Sequence, residues 1–195
     1  MSEPGRMDAE KGSTDERTVG LRSCGDCWRC CQDLRIGEKA PGTPCEHLDK
    51  DGPLGGGRHC GRYADRPADC RDFECLWRLI DAELLPNTYR PDSLGVIFSA
   101  RLASELGLPP HGSGDWLVIV ALPVYSPAGK PLAICTNATA MEAVRRLRAA
   151  GLAVMIDETA SGGEAIVERP LRKPTPEFAR RLSAGLEAIA GRRQT

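Results

Sequence analysis

The spacing of the cysteines is the feature of this sequence that most constrains its fold. Nine cysteines occur among 195 residues, and eight of them lie in the first half of the chain. Cysteines clustered in this way are typical of a disulfide framework or of a metal site. The eight clustered cysteines are Cys24, Cys27, Cys30, Cys31, Cys45, Cys60, Cys70 and Cys75.

The cellular compartment favours one of these two uses. Residues 1–20 contain no apolar run that could act as a secretion signal, and the longest apolar run, 116–122, has the length of a strand rather than of a membrane span. We therefore expect a soluble, cytoplasmic protein with no membrane partner. Thiols are kept reduced in the cytosol, so metal ligation is favoured over four disulfides, which would require an export route.

The Cys-x2-Cys step suits a single metal centre, because two intervening residues let the chain turn back and bring both sulfurs to one ion. Two such steps in series, at Cys24, Cys27 and Cys30, are similar to the three-thiolate run that holds a four-iron cluster in bacterial ferredoxins. Zinc uses the same step, usually with a second pair further along the chain. The sequence therefore predicts a bound metal, either an iron–sulfur cluster or zinc (Zn).

The adjacent pair Cys30 and Cys31 limits how the eight sulfurs are shared. Neighbouring side chains point to opposite faces of a strand and about 100° apart on a helix, so both sulfurs would reach one tetrahedral ion only with a strained backbone. Either the pair serves two neighbouring centres, or one thiol is free for redox or exchange chemistry. On a continuous helix, Cys24, Cys27 and Cys31 would share one face and leave Cys30 aside. Two four-thiolate sites and one cluster with spare ligands are both compatible with the spacing.

Other side chains near the thiols are less specific. Two histidines flank clustered cysteines, but we expect both to be solvent-facing loop residues; they are His47 and His59. Cys135 lies outside the cluster and is expected to be a small buried residue. Four arginines either offset the negative charge of thiolate centres or are simply exposed; they are Arg29, Arg62, Arg66 and Arg71.

Composition divides the chain into three parts. We predict a disordered polar tail over residues 1–20, a cysteine-cluster metal-binding region over 21–85, and an α+β region over 86–195, either separate or packed with the cluster as one domain. The glycine- and proline-rich stretch 43–61 is predicted to be loop. A loop-rich segment with few aliphatic residues needs another source of stability, which bound metal supplies in small domains.

Hydrophobic spacing predicts an α+β fold, in which the loop-rich cysteine part precedes a small α/β region. Strands are predicted at 95–99, 116–122, 131–135, 152–156 and 165–168. A strand–helix–strand unit is expected over 116–168, with its helix opened by the capping-box spacing of Thr139 and Glu142 and closed by Gly151.

Two further helices are predicted from apolar stripes. One follows Pro67 and carries Phe73, Leu76, Trp77, Ile80 and Leu84. Because Cys75 falls off this stripe, either the helix proper begins near Cys75 or its thiol faces away from the apolar partner of the helix. The other is a C-terminal helix that starts at Thr175-Pro176 and carries Phe178, Leu182, Leu186 and Ile189.

Three segments together resemble a known family. They are Cys24-Gly-Asp-Cys-Trp-Arg-Cys-Cys31, Pro44-Cys45-Glu-His-Leu48, and Cys60-Gly-Arg-Tyr-Ala-Asp-Arg-Pro-Ala-Asp-Cys-Arg-Asp-Phe-Glu-Cys75. Their order and spacing are similar to those of the CxxCxxCC family of zinc- or iron-chelating domains, also called cysteine-cluster proteins. The resemblance covers residues 24–75 and implies that the eight clustered cysteines are the chelating residues.

The resemblance also bears on function. Members of the family are often labelled iron–sulfur proteins, and a related cysteine cluster occurs in flagellin lysine methylases. No acceptor-lysine pocket is recognisable in this chain, so methyl transfer is not carried over. The resemblance implies nothing about residues 86–195.

We therefore expect a metal-chelating protein that binds an iron–sulfur cluster or zinc through eight cysteines, with a redox or electron-transfer role if the metal is a cluster. The alternatives are a structural zinc module for protein–protein interaction, and iron or zinc storage and delivery. No catalytic motif is present beyond a redox metal centre, so the sequence leaves enzyme activity open. Its formal net charge of −1 does not favour a nucleic acid partner, whereas a protein partner is compatible with it.

Overall fold

The computed structural model describes residues 22, 24, 27–49, 60–62, 65, 67–109, 115–176, 178–180, 182 and 183. Within this part of the chain, helices accompany one four-stranded mixed sheet, which agrees with the predicted α+β class. None of the described helices is long and apolar enough to cross a membrane. Several predictions fall outside the described residues: those for the tail over 1–20, His59, Arg66, Leu186 and Ile189.

The sheet contains β1 (Val96–Leu102), β2 (Leu117–Pro123), β3 (Ala153–Asp157) and β4 (Ala165–Glu168), in that spatial order. The central pair β2 and β3 is parallel, while β1 and β4 pair antiparallel to their neighbours. Four of the five predicted strands are therefore confirmed. The strand predicted at 131–135 is wrong, because the chain turns at 126–130 and Pro131 forms only an isolated bridge with Tyr125.

Helix α5 (Ala138–Ala149) connects β2 to β3, as parallel neighbours require a crossover, and confirms the predicted strand–helix–strand unit. The predicted capping box is wrong, because α5 begins after Asn137, whose side-chain oxygen accepts a hydrogen bond from the Ala140 amide at 3.0 Å. Gly151 follows the last turn with φ +96°, as predicted for a residue that ends a helix. A Cβ atom there would lie 2.2 Å from the Pro174 nitrogen.

The four described α-helices that precede the sheet in the sequence are short. They are α1 (Arg29–Asp33), α2 (Ala68–Asp72), α3 (Leu76–Leu79) and α4 (Pro91–Leu94). The stripe predicted after Pro67 does not form one helix, since Phe73 and Cys75 are extended and separate α2 from α3. The alternative in which the helix proper begins near Cys75 is confirmed, because Cys75 is the N-cap of α3. A tertiary contact explains the break between the two helices. Cys75 forms a strand-like bridge with Ser99 of β1, which an uninterrupted helix would prevent.

Two apolar clusters lie around the sheet. The main core takes alternate residues of the strands and covers them with α3 and α5; its strand residues are Val96, Phe98, Ile119, Ala121, Val154 and Ile156. The smaller cluster joins Leu34, Ile97 and Val124. Because side chains alternate along a strand, Ile97 faces away from its neighbour Phe98. Cys30 and Phe73 pack against both clusters.

Near the C-terminus, residues 176, 178–180, 182 and 183 are helical. The Phe178 amide donates to the Thr175 hydroxyl at 3.2 Å, which confirms the predicted N-cap. Phe178 and Leu182 pack against the main core, as the apolar stripe predicted.

Candidate metal centre

The two adjacent cysteines of α1 contact different neighbours. Cys30 packs against both apolar clusters, and its thiol donates a hydrogen bond to the Cys75 sulfur. Cys31 differs from Cys30, because its carbonyl accepts a hydrogen bond from the Cys45 amide at 3.1 Å. Because α1 begins only at Arg29, Cys24 and Cys27 lie outside the helix, and the face that a continuous helix would give Cys24, Cys27 and Cys31 does not form.

One group of thiols lies against the core. We call these the core-side thiols: Cys24, Cys27, Cys30 and Cys75. The Cys27 amide donates to the Cys24 carbonyl at 3.0 Å, and the Cys30 thiol lies within electrostatic range of both. Cys75 is buried in the main core beside β1. The Cys30–Cys75 hydrogen bond raises the pKa of Cys30, together with burial, and lowers the pKa of Cys75.

Backbone amides point at two of the core-side sulfurs. The Cys27 sulfur accepts from the amides of Arg29 and Asp92, and the Cys75 sulfur accepts from those of Trp77 and Arg78. Burial outweighs the amides at Cys27 and raises the pKa of its thiol to about 12. Hydrogen bonds of this kind tune thiolate metal centres, because they stabilise negative charge on sulfur.

The remaining clustered thiols lie on α1, on α2 and on the loop segments between these two helices. We call these the loop-side thiols: Cys31, Cys45, Cys60 and Cys70. Leu48, three residues after Cys45, forms an isolated bridge with Cys60, and the Gly61 amide donates to the His47 carbonyl at 2.9 Å. The Gly37 amide donates to the Asp69 carboxylate at 3.0 Å, which holds α2 beside the loop after α1.

Electrostatics agrees with the backbone contacts of the loop-side thiols. Burial, followed by the charges of Cys60, Cys45 and Cys70, raises the pKa of Cys31 to about 11. Cys24 has a weaker influence on the same thiol, so the two groups adjoin. A pKa this high means that Cys31 is protonated at neutral pH.

Electrostatic neighbours are not yet a coordination sphere. Charges act over distances well beyond a zinc–sulfur bond of about 2.3 Å. Among the residues that the structure describes, no three Cys, His, Asp or Glu side chains are close enough to hold a metal ion as they stand. None of the nine cysteines, all within the described part of the chain, is in a disulfide. Four thiols in each group are the donor type that structural zinc sites and iron–sulfur clusters use.

Two cations that sequence reasoning missed lie near the thiols. Arg22 stacks over the Trp77 ring at 4.0 Å, donates to the Leu85 carbonyl at 2.6 Å and interacts favourably with Cys75. Lys39 donates to the Thr43 carbonyl at 2.8 Å and interacts with Cys45, Cys31 and Cys70. No motif marked them, because both are brought to the thiols by the path of the chain.

The arginines singled out by sequence have other positions. Arg29 pairs with Asp33 inside the protein, Arg62 pairs with Asp65 at the surface, and Arg71 is exposed. For Arg62 and Arg71, the simple surface role is the one the structure supports.

A buried carboxylate fixes α1 against the chain that follows β2. Asp33 Oδ2 lies 2.7 Å from Arg29 Nε, while Asp33 Oδ1 accepts from the Tyr125 amide at 3.1 Å. Arg29 also donates to the Tyr125 carbonyl at 2.8 Å. The i,i+4 spacing of Arg29 and Asp33 was the only sequence signal for this contact. It positions both Cys30 and Cys31, which lie between these residues on α1.

The other predicted residues are peripheral. His47 is partly exposed and its Nε2 lies 3.3 Å from a Glu46 carboxylate oxygen. Cys135 is exposed, so its predicted burial is wrong; it directly follows the buried Ile134, and its amide donates to Glu158 at 2.7 Å. The electrostatic neighbours of Cys135 are carboxylates, and burial together with Glu158 raises the pKa of its thiol.

Comparison with known proteins identifies no relative: no protein-family model, no curated protein and no solved structure matches this chain.

Proposed function

We propose that this chain is a metal-chelating protein that binds an iron–sulfur cluster or zinc through its eight clustered cysteines. The observation that carries the proposal is that backbone contacts join segments that hold these cysteines: the Cys45 amide donates to the Cys31 carbonyl, Leu48 bridges to Cys60, and Cys75 bridges to Ser99 of β1. The resemblance to the CxxCxxCC family supports the same ligands.

The packing of the cysteine-rich part also favours a metal. None of the described residues between Arg35 and Arg71 is buried, so this stretch contributes no apolar core of its own. Conformational entropy opposes ordering of such a segment, and burial of apolar surface is not there to offset it. Metal–thiolate bonds supply that free energy in small metal-binding domains.

The donor chemistry fits both metals. Four thiolates hold a four-iron cluster or a structural zinc ion, and the amides at Cys27 and Cys75 are suited to either. A cluster would give the protein a redox or electron-transfer role. Zinc is redox-inert, so zinc would make the segment a structural module or a store from which metal is delivered.

Anoxic purification of the full chain, followed by measurement of iron, acid-labile sulfide and zinc, tests the proposal. A brown protein with sulfide identifies a cluster, and a colourless protein with stoichiometric zinc identifies the zinc alternative. Cys27→Ser is expected to lose metal, whereas the matched variant Cys135→Ser should keep the wild-type content. A wild-type protein with neither metal, or one whose thiols are all oxidised to disulfides, would contradict the proposal.

A further inference from the structure

The geometry points to two separate four-thiolate metal centres, divided at the Cys30–Cys31 peptide bond. The core-side centre would use Cys24, Cys27, Cys30 and Cys75, and the loop-side centre would use Cys31, Cys45, Cys60 and Cys70. This inference rests on the proposed function and assigns each sulfur to a centre.

The geometry of α1 gives its two adjacent cysteines different directions. Both adjacent cysteines are helical, so their side chains leave the axis about 100° apart. Cys30 is directed to the boundary between the two apolar clusters and to Cys75, whereas the backbone of Cys31 is bonded to that of Cys45. A single tetrahedral ion would need both sulfurs on one side, which would require α1 to unwind.

Each of the two adjacent cysteines, Cys30 and Cys31, has its own set of neighbouring cysteines. Cys30 adjoins three other thiols: it bonds to Cys75, and Cys24 and Cys27 come directly before α1. On the other side, the Cys31 carbonyl accepts a hydrogen bond from the Cys45 amide, and Leu48 bridges to Cys60. The Gly37–Asp69 hydrogen bond holds α2, which carries Cys70, beside the loop after α1. Each group therefore contains the four sulfurs that a closed thiolate site requires.

The charges of the thiolate groups and of the cations near them also favour two centres. A four-thiolate zinc site, like a four-iron cluster in its 2+ state, carries a net charge of about −2. Two such centres side by side would repel each other unless each had a cation. Arg22 lies beside the core-side thiols, and Lys39 lies beside the loop-side thiols. One resident cation for each group is the arrangement expected for two centres.

The two centres differ in their surroundings, and this has a consequence for metal exchange. Cys75 is buried in the main core, and Cys30 packs against it. Three of the loop-side thiols, Cys45, Cys60 and Cys70, lie between Arg35 and Arg71, where none of the residues that the structure describes is buried. Opening the loop-side centre disturbs little packing, so its metal should exchange faster with a chelator than the core-side metal.

Titration of the metal-free, reduced full chain with Co²⁺ alone tests the assignment. Wild type should bind two equivalents and release them to a chelator in two phases. The matched variants Cys31→Ser and Cys70→Ser should bind one equivalent and lose the fast phase. Their neighbours in sequence, Cys30→Ser and Cys75→Ser, should instead lose the slow phase.

Alkylation followed by mass spectrometry keeps the assignment testable even if the core-side variants fail to fold. In Co²⁺-loaded Cys31→Ser, the core-side thiols should stay protected while Cys45, Cys60 and Cys70 become reactive. A wild-type protein that binds one equivalent, or protection lost from both groups together, would overturn the two-centre assignment while leaving metal chelation standing. A wild-type protein that binds no metal would overturn both.

Discussion

Gly42 shows how a single residue can join the cysteine-rich loops to the sheet. Its φ of +76° lies in the left-handed region, and a Cβ atom there would be 2.4 Å from the Tyr125 ring. Its amide donates to the Asp33 carbonyl at 3.2 Å, so the same residue also contacts α1. The glycine is therefore required both by the backbone conformation and by the close approach of an aromatic ring.

We predict that Gly42→Ala lowers the free energy of unfolding by more than Gly129→Ala. Gly129 has a similar φ of +72° but open space around it, so alanine there should cost only about 1–2 kcal/mol of backbone strain. At Gly42 the clash with Tyr125 should add roughly 1–3 kcal/mol. Urea unfolding of both variants measures the difference, and equal losses would show that the loop moves away from Tyr125 at little cost.

At the scale of elements, α1 depends on one buried ion pair. The Asp33 side chain is 0% exposed and bridges Arg29 to the Tyr125 amide, so the helix is anchored by charge as well as by Leu34 in the smaller apolar cluster. Because the two adjacent thiols lie between the paired residues, the anchor also sets where their sulfurs point.

We predict that Asp33→Asn destabilises the protein by about 3–5 kcal/mol, since it leaves the Arg29 charge buried without its partner. Asp65→Asn is the matched control, because Asp65 is 69% exposed in its pair with Arg62 and should cost less than about 1 kcal/mol. Denaturant unfolding under anoxic conditions gives both values. Similar small losses in the two variants would mean that Arg29 finds another partner.

Sequence patterns predicted the sheet better than the helices that precede it. The strands at 116–122 and 165–168 were recognisable because β-branched runs between turn residues are a local property. For α3, the off-stripe position of Cys75 indicated a helix start near that residue, but not the bridge to Ser99, because Ser99 is distant in sequence. The predicted start of α5 was wrong because both Asn137 and Thr139 are good N-cap residues. A tertiary contact favours Asn137, whose side-chain Nδ2 also donates a hydrogen bond to the Leu94 carbonyl.

At the scale of the whole molecule, the cysteine-rich part contacts the sheet through buried groups. Cys75 belongs to both a thiol group and the main core, and Arg29 reaches Tyr125. The adjacency of Cys30 and Cys31 indicated either two neighbouring centres or one spare thiol, but spacing did not indicate how the other thiols divide between them. That division depends on the path of the chain, and so do the positions of Arg22 and Lys39.

We predict that removal of metal by a chelator loosens β1 more than the opposite edge of the sheet. In hydrogen exchange, amides around Ser99 should exchange at least about tenfold faster in the metal-free protein, because Ser99 pairs with the core-side residue Cys75. The β3–β4 pairs, such as Met155 with Val167, provide the internal reference. Equal exchange at both edges, with and without metal, would show that the thiols do not stabilise the sheet.

The long separation between Asp33 and Tyr125 has a consequence for the order in which the chain assembles during synthesis. The helix carrying the adjacent thiols leaves the ribosome well before its anchor on the sheet is made, and at about 5–20 residues per second the interval is roughly 5–20 s. For that time the first thiols are exposed without the contacts that orient them. On the proposed function, the newborn chain would need a metal or a reductant to protect these thiols before its second half has been translated.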